Sequence, residues 1–170
     1  MLETTLFVLL AVFTVVTAIL VIAQRNPVNS AIFLILTFFA LAGIYLLLHA
    51  EFIAAIQVLV YAGAIMVLFL FVIMLLNLEK EKRIVTRNRL WKGVGILLGL
   101  ALLVQIGAIF QKVLLEGTKG SFPPEKVASL GNTQVIAELL FTDYLLPFEI
   151  TSVLLLVAII GAIMLAKREV

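Results

Sequence analysis

The fold of this chain is decided by residues 52–77, which read FIAAIQVLVYAGAIMVLFLFVIMLLN. This stretch contains no charged side chain, and it lies between Glu51 and a basic loop. A helix needs about 20 apolar residues to cross the hydrocarbon layer of a bilayer, so the stretch is longer than one crossing requires. We therefore predict a membrane-spanning helix that tilts, protrudes, or absorbs a residue in a π-bulge.

The composition of the whole chain indicates a helical membrane protein. Of its 170 residues, 64% are hydrophobic and 13% are charged, and the mean hydropathy is +1.27. A soluble domain is about one quarter charged, so no water-soluble packing is expected. Cysteine is absent and His49 is the only histidine, which excludes disulfides, thiolate metal sites and a multi-histidine site on this chain. We expect one membrane domain over residues 1–170, without an extramembrane catalytic module.

Charged residues divide the chain into five apolar runs, each long enough to cross a bilayer. The fifth run is interrupted only by Glu149. We predict an all-α membrane protein with five transmembrane helices and no internal repeat. The predicted spans cover about residues 4–24, 28–48, 52–77, 92–114 and 146–166.

The distribution of lysine and arginine predicts the orientation of these spans. Nine basic residues fall in the loops and ends on one side of the membrane, and three fall on the other. Cytoplasmic loops carry the excess of positive charge. We therefore predict that the nine-residue side is cytoplasmic, with the N-terminus outside and the C-terminus inside.

A short amphipathic helix is predicted on the outer surface, between the fourth and fifth spans. Its apolar positions recur at helical spacing; they are Val135, Ile136, Leu139 and Leu140. Asn132 or Thr133 is a suitable cap for this helix. Pro147 is predicted to begin the fifth span, which places Glu149 in its first turn.

Polar groups inside the predicted spans are the candidates for function, because such groups are rare in membranes and often functional. Gln57 and Tyr61 are four residues apart, so they are predicted to share one face of the third helix. Two interpretations are open. The pair forms a hydrated proton path or a gate beside one, or it only hydrogen-bonds neighbouring helices, at about 0.6 kcal/mol per bond.

Small side chains at residues 62–64, Ala-Gly-Ala, also have two interpretations. They permit close helix packing, or they mark a site where the helix rewinds between α and π geometry. Met66 and Phe69 flank this cluster and would move if the helix rotated. Glu149 is the only carboxylate embedded in an apolar run; it either relays protons or offsets the positive end of its helix.

Three stretches of the chain together resemble a known family. They read NPVNSAIFLIL at 26–36, VYAGAIMVLFLFVIMLLN at 60–77 and LLPFEITSVLLLVAIIGAI at 145–163. These stretches are similar to subunit J of bacterial proton-pumping NADH–quinone oxidoreductase, the counterpart of chain 6 of mitochondrial respiratory complex I. The resemblance covers all five predicted helices and is weakest in loop 78–91 and segment 117–132.

The resemblance implies a multi-pass subunit of the membrane arm, in the bacterial inner membrane, packed among the A-, H-, K- and N-type subunits. It implies no flavin, iron–sulfur cluster, metal or complete quinone site on this chain, and no nucleic-acid partner. The whole complex would use NADH, FMN, iron–sulfur clusters and a quinone. This subunit would couple quinone reduction to proton translocation without a redox centre of its own.

In the family that the chain resembles, the third helix carries a π-bulge. Loss of that bulge, with rotation of the helix, is associated with opening or closing a water-filled path. The residues that the resemblance implies for this role are Tyr61, Gly63, Met66, Val67, Phe69 and Glu149. Some relatives have a carboxylate where this chain has Gln57, and an amide cannot hold the charge, so Gln57 is at most a supporting polar group.

Two other functions remain open at the level of the sequence. The chain could be a packing scaffold within the same complex, which predicts that Tyr61→Phe and Glu149→Gln leave activity unchanged. It could also be a stand-alone channel or carrier. The missing internal repeat and the sparse mid-membrane charge argue against a carrier.

Overall fold

The computed structural model describes residues 1–76, 89–116, 127 and 129–167. Within these ranges the chain is helical and contains no strand. Five helices are long and apolar enough to cross a membrane, which confirms the predicted all-α architecture. The first to fifth spans are Leu2–Ala23, Pro27–Leu47, Glu51–Leu75, Gly93–Gln111 (within the longer helix Arg89–Glu116) and Leu145–Ala166. Most of the basic loop and of segment 117–132 lies outside the described residues.

The first two spans pair more extensively than any other described helices. Thr17 and Thr37 are both buried in this pair, and the Thr37 hydroxyl donates to Thr17 Oγ1 at 2.9 Å. Gly43 permits the close approach, since a Cβ at this position would lie 3.1 Å from Leu10 Cδ1. Shared hydroxyls and small residues are what hold helices together in a bilayer, where lipid is as apolar as the side chains.

Pro27 is the first residue of the second span, where its missing N–H has no helical partner to lose. The preceding residue, Asn26, caps this helix: its Oδ1 accepts from the Val28 N–H at 2.9 Å. The two spans are therefore joined by a short connection whose end is fixed by its own side chain.

The turn between the second and third spans is closed by His49. Its φ of 56° lies in the left-handed region, which histidine enters more readily than most side chains. The Ala50 N–H donates to Tyr45 O at 2.9 Å and the His49 N–H to Leu46 O at 3.1 Å. These two bonds form a Schellman motif, which satisfies carbonyl groups at the end of the second span. His49 is thus explained as a turn residue.

A short helix, Asn132–Phe141, precedes the fifth span, as predicted. We call it the surface helix. Its N-cap is Gly131, so the expectation that Asn132 or Thr133 caps it is wrong. The fifth span begins at Leu145 and not at Pro147. Proline is tolerated throughout a first helical turn, because none of the first four N–H groups has a helical partner.

The fourth and fifth spans are almost entirely exposed in this chain. Every described side chain over residues 93–111 is exposed, and the fourth span packs extensively against no other described helix. The fifth span packs against the surface helix. The packed part of the chain therefore consists of the first three spans, with the surface helix at one end.

Candidate functional site

The third span is not a uniform helix. Its three parts are the α-helix Glu51–Ile56, the π-helix Gln57–Ile65 and the α-helix Met66–Leu75. At the first junction the Gln57 N–H donates to Ile53 O, four residues earlier. At the second junction the Met66 N–H is shared between Gly63 O, three residues earlier, and Tyr61 O, five residues earlier. One additional residue is therefore accommodated between Gln57 and Met66, which uses part of the extra length of this span.

The buried side of the third span follows this change of register. Its buried residues are Ala54, Gln57, Ala62 and Met66, so the steps between them are of three, five and four positions. A regular α-helix repeats at three or four positions. The step of five spans the π-helical part, which brings Ala62, and not Tyr61, onto the face that Gln57 occupies.

The prediction that Gln57 and Tyr61 share a face is wrong for this reason. Gln57 is 7% exposed, whereas Tyr61 is 46% exposed. The Tyr61 ring lies edge-on against Phe38 of the second span, with the centroids 5.7 Å apart. Tyr61 therefore lies at the margin of the contact between the second and third spans, where its ring is partly covered.

Gly63 lies within the wide turn. A Cβ at this position would be 3.2 Å from Val58 O, which is five residues earlier on the same helix. The nearest obstacle to a side chain here is thus the backbone of the π turn and not a neighbouring helix. Within the described chain, Gly63 is explained by the geometry of its own turn better than by close helix packing.

The other predicted residues divide into two groups. Met66 is 3% exposed and sits where the π-helical part ends, whereas Val67 and Phe69 are exposed. Glu149 is exposed on the fifth span, in its second turn, so the prediction that it lies in the first turn is wrong. The structure brings Tyr61, Gly63 and Met66 together, and it does not bring Glu149 to them.

Gln57 is the buried polar residue of this segment. Its side chain forms no hydrogen bond with another described residue, and no described buried polar atom is fully enclosed without a partner. Gln57 is therefore largely buried, although its amide atoms are not completely enclosed. Within the described ranges, no three histidine or acidic side chains are placed to hold a metal ion.

Two contacts of the third span were missed by the sequence reasoning. Phe38 covers Tyr61, and Asn132 Oδ1 accepts from the Phe52 N–H at 3.3 Å. The first could have been found, because Phe38 and Tyr61 lie at nearly equal distances along the chain from the His49 turn. The second had no sequence signal, since it depends on where the surface helix docks.

Comparison with known proteins gives consistent matches over nearly the whole chain. A model of the family described as NADH-ubiquinone/plastoquinone oxidoreductase chain 6 matches residues 17–165. F(420)H(2) dehydrogenase subunit J of Methanosarcina mazei is 41% identical, over 99% of this chain and 93% of the relative. NADH-quinone oxidoreductase subunit J of Rhodobacter capsulatus is 38% identical, over 96% and 81%. NADH-ubiquinone oxidoreductase chain 6 of Chondrus crispus is 38% identical, over 96% and 82%.

Proposed function

Because the chain belongs to the NADH-ubiquinone/plastoquinone oxidoreductase chain 6 family, we propose that it couples quinone reduction to proton translocation. The acting element is the third span, which switches its helical register beside a hydrated proton path. The observation that carries this proposal is a change in backbone hydrogen bonding along the span. The Gln57 N–H has an acceptor four residues earlier, whereas the Met66 N–H has one five residues earlier. A coupling element needs two discrete arrangements, and a turn that can gain or lose one residue supplies them.

The second arrangement follows from the first by closing the π-helical part to an α-helix. If Glu51–Ile56 stays in place, the Met66 N–H then donates to Ala62 O instead of Tyr61 O. Every residue beyond the closure turns by about 100° and shifts by about 1.5 Å along the helix axis. The part of the span from Met66 to Leu75 would therefore rotate as a unit.

This rotation exchanges the residues on the buried side. Tyr61 would take the place that Ala62 holds against the second span, and Met66 would leave its buried position. A phenol would then replace a methyl group at the level of Phe38. Such an exchange changes both the free space and the polarity there, and hence the capacity of the contact to hold water.

The glycine contributes to the balance between the two arrangements. In an α-helix, glycine is about 1 kcal/mol less favourable than alanine, so Gly63 weakens the α form. In the π form, any Cβ at this position would press on Val58 O. Both effects keep the π form accessible, and two states a few kcal/mol apart can be shifted by binding events elsewhere.

The remaining parts of the function concern the whole complex. The chain would lie in a bacterial inner membrane, adjacent to A-, H-, K- and N-type subunits, and the active site would lie on other subunits. NADH, FMN, the iron–sulfur clusters and the quinone would likewise be bound there. The exposed fourth and fifth spans support this, since they leave apolar surface for partner helices or lipid.

The proposal is tested by adding one methyl group at the centre of the turn. Gly63→Ala should favour the α form by about 1–2 kcal/mol, a shift of roughly 5- to 30-fold in the populations. Coupled quinone reduction and proton pumping should fall, while the complex still assembles. Both are measured in membrane vesicles supplied with the electron donor of the complex.

Gly161→Ala is the matched control, because it adds the same group to a regular helix with nothing within 4 Å. The gating proposal fails if Gly63→Ala pumps and turns over like the parent complex. In that case the scaffold interpretation gains support, since it requires only that the chain packs.

A further inference from the structure

The surface helix begins in an unusual way. Its N-cap, Gly131, has φ 87° and ψ 143°, a conformation open almost only to glycine, and offers no side chain as a cap. The Val135 N–H still finds Gly131 O at 3.2 Å, so the helix starts regularly. The Asn132 side chain is therefore not used by its own helix and is free to bond elsewhere.

Asn132 bonds to the start of the third span. Its Oδ1 accepts from the Phe52 N–H at 3.3 Å. Phe52 is the second residue of that helix, and Ala50, at the N-cap position, has no side-chain acceptor. The N–H group at this position is one that a capping oxygen normally satisfies. Asn132, from the surface helix, thus supplies the cap that the third span lacks.

Apolar contacts hold the two helices at this point. Val135, one turn along the surface helix, is buried, and so is Ala54 in the first turns of the third span. The two helices pack against each other there. At the other end of the surface helix, Phe141 meets Phe148 of the fifth span edge-to-face, with centroids 5.1 Å apart. The surface helix therefore bridges the starts of the third and fifth spans.

We propose that Asn132 is a positioning residue, which fixes the start of the third span through its bond to the Phe52 N–H. With Glu51–Ile56 held by this cap and by the His49 turn, a change of register in the π-helical part is expressed at the opposite end, Met66–Leu75. The second statement rests on the proposed function, whereas the cap itself does not.

The test compares Asn132→Ala with Asn132→Asp in the intact complex. Alanine removes the acceptor, whereas aspartate keeps an oxygen and adds a charge that suits a helix N-terminus. Amide hydrogen exchange of the peptide covering residues 50–57 should rise about fivefold in Asn132→Ala and stay near the parent value in Asn132→Asp. Thr133→Ala, a change at the exposed neighbour, is the control and should not alter exchange.

The second readout is the number of protons translocated per quinone reduced. It should fall in Asn132→Ala and recover in Asn132→Asp. Gly131→Ala keeps the Asn132 side chain but strains the backbone that orients it. It should give the same result as Asn132→Ala, and it replaces that variant if Asn132→Ala does not assemble. Two results would overturn the proposal that Asn132 caps the third span. One is unchanged amide hydrogen exchange in Asn132→Ala, and the other is an equal increase in exchange in Asn132→Ala and Asn132→Asp.

Raised exchange with an unchanged proton ratio overturns the positioning role in coupling. The proposed function is judged separately, by Gly63→Ala in the same preparation. Loss of coupling in Gly63→Ala, together with normal coupling in Asn132→Ala, would mean that the third span switches without needing this anchor.

Discussion

Tyr61 shows at the scale of one residue what the register change does. Sequence spacing places it on the face of Gln57, yet it is half exposed, and its ring forms a T-shaped contact with Phe38. A spacing of four residues corresponds to one face only in a regular α-helix, and this turn accommodates one additional residue. The candidate residues came from the sequence and its family resemblance, but which of them are buried could not be predicted, because burial depends on the helical register.

Tyr61→Phe separates the hydroxyl from the ring. The edge-on contact with Phe38 is kept, so assembly should be normal. If the hydroxyl orders water in the proton path, losing a hydrogen bond of about 1 kcal/mol should reduce proton pumping about fivefold. Proton pumping is measured in membrane vesicles as the response of a pH-sensitive dye per quinone reduced.

Tyr45→Phe in the second span is the matched control for this change. A Tyr61→Phe complex that pumps normally would show that the hydroxyl has no part in the path. The role of Tyr61 would then be limited to the bulk of its ring.

At the scale of the element, the spans could be predicted from the sequence, whereas the start of the fifth span and the contacts between elements could not. The five spans were predictable because each is a long apolar run without alternatives in a membrane. The beginning of the fifth span was not, because Pro147 suits several positions of a first turn. The bond from Asn132 to the third span was also beyond reach, since it joins residues far apart in the chain.

The His49 turn makes a prediction at this scale. His49→Gly should preserve the Schellman motif, because glycine adopts a φ of 56° without strain. His49→Val should destabilise the turn by about 1–2 kcal/mol, since a β-branched side chain is strained there. The thermal midpoint of the purified complex should fall only for valine.

Enzymatic activity is the second measurement made on His49→Gly and His49→Val. Quinone reduction should be normal in His49→Gly if the histidine serves the turn alone. Loss of proton pumping in His49→Gly, with unchanged thermal stability, would instead assign the imidazole a part in proton transfer.

At the scale of the whole molecule, the chain is incomplete as a bundle. The first three spans pack together, while described side chains of the fourth and fifth are exposed. These two spans therefore leave apolar surface for partner helices or lipid.

This incompleteness predicts that the chain is unstable without its complex. When it is produced in cells that lack the other membrane subunits, it should be degraded several times faster than in the assembled complex, because its fourth span packs extensively against no other described helix. Pulse–chase labelling measures the difference. A stable, monodisperse chain purified alone, above all one with ion flux of its own, would contradict this and favour a stand-alone channel.

The central claim is that the third span has two registers. It is tested most directly by solving the intact complex in two functional states, without substrate and during turnover, and reading the acceptor of the Met66 N–H in each. We predict Tyr61 O, shared with Gly63 O as seen here, in one state and Ala62 O in the other, with Tyr61 turned into the place of Ala62. The same acceptor in both states, with full proton pumping, would contradict it.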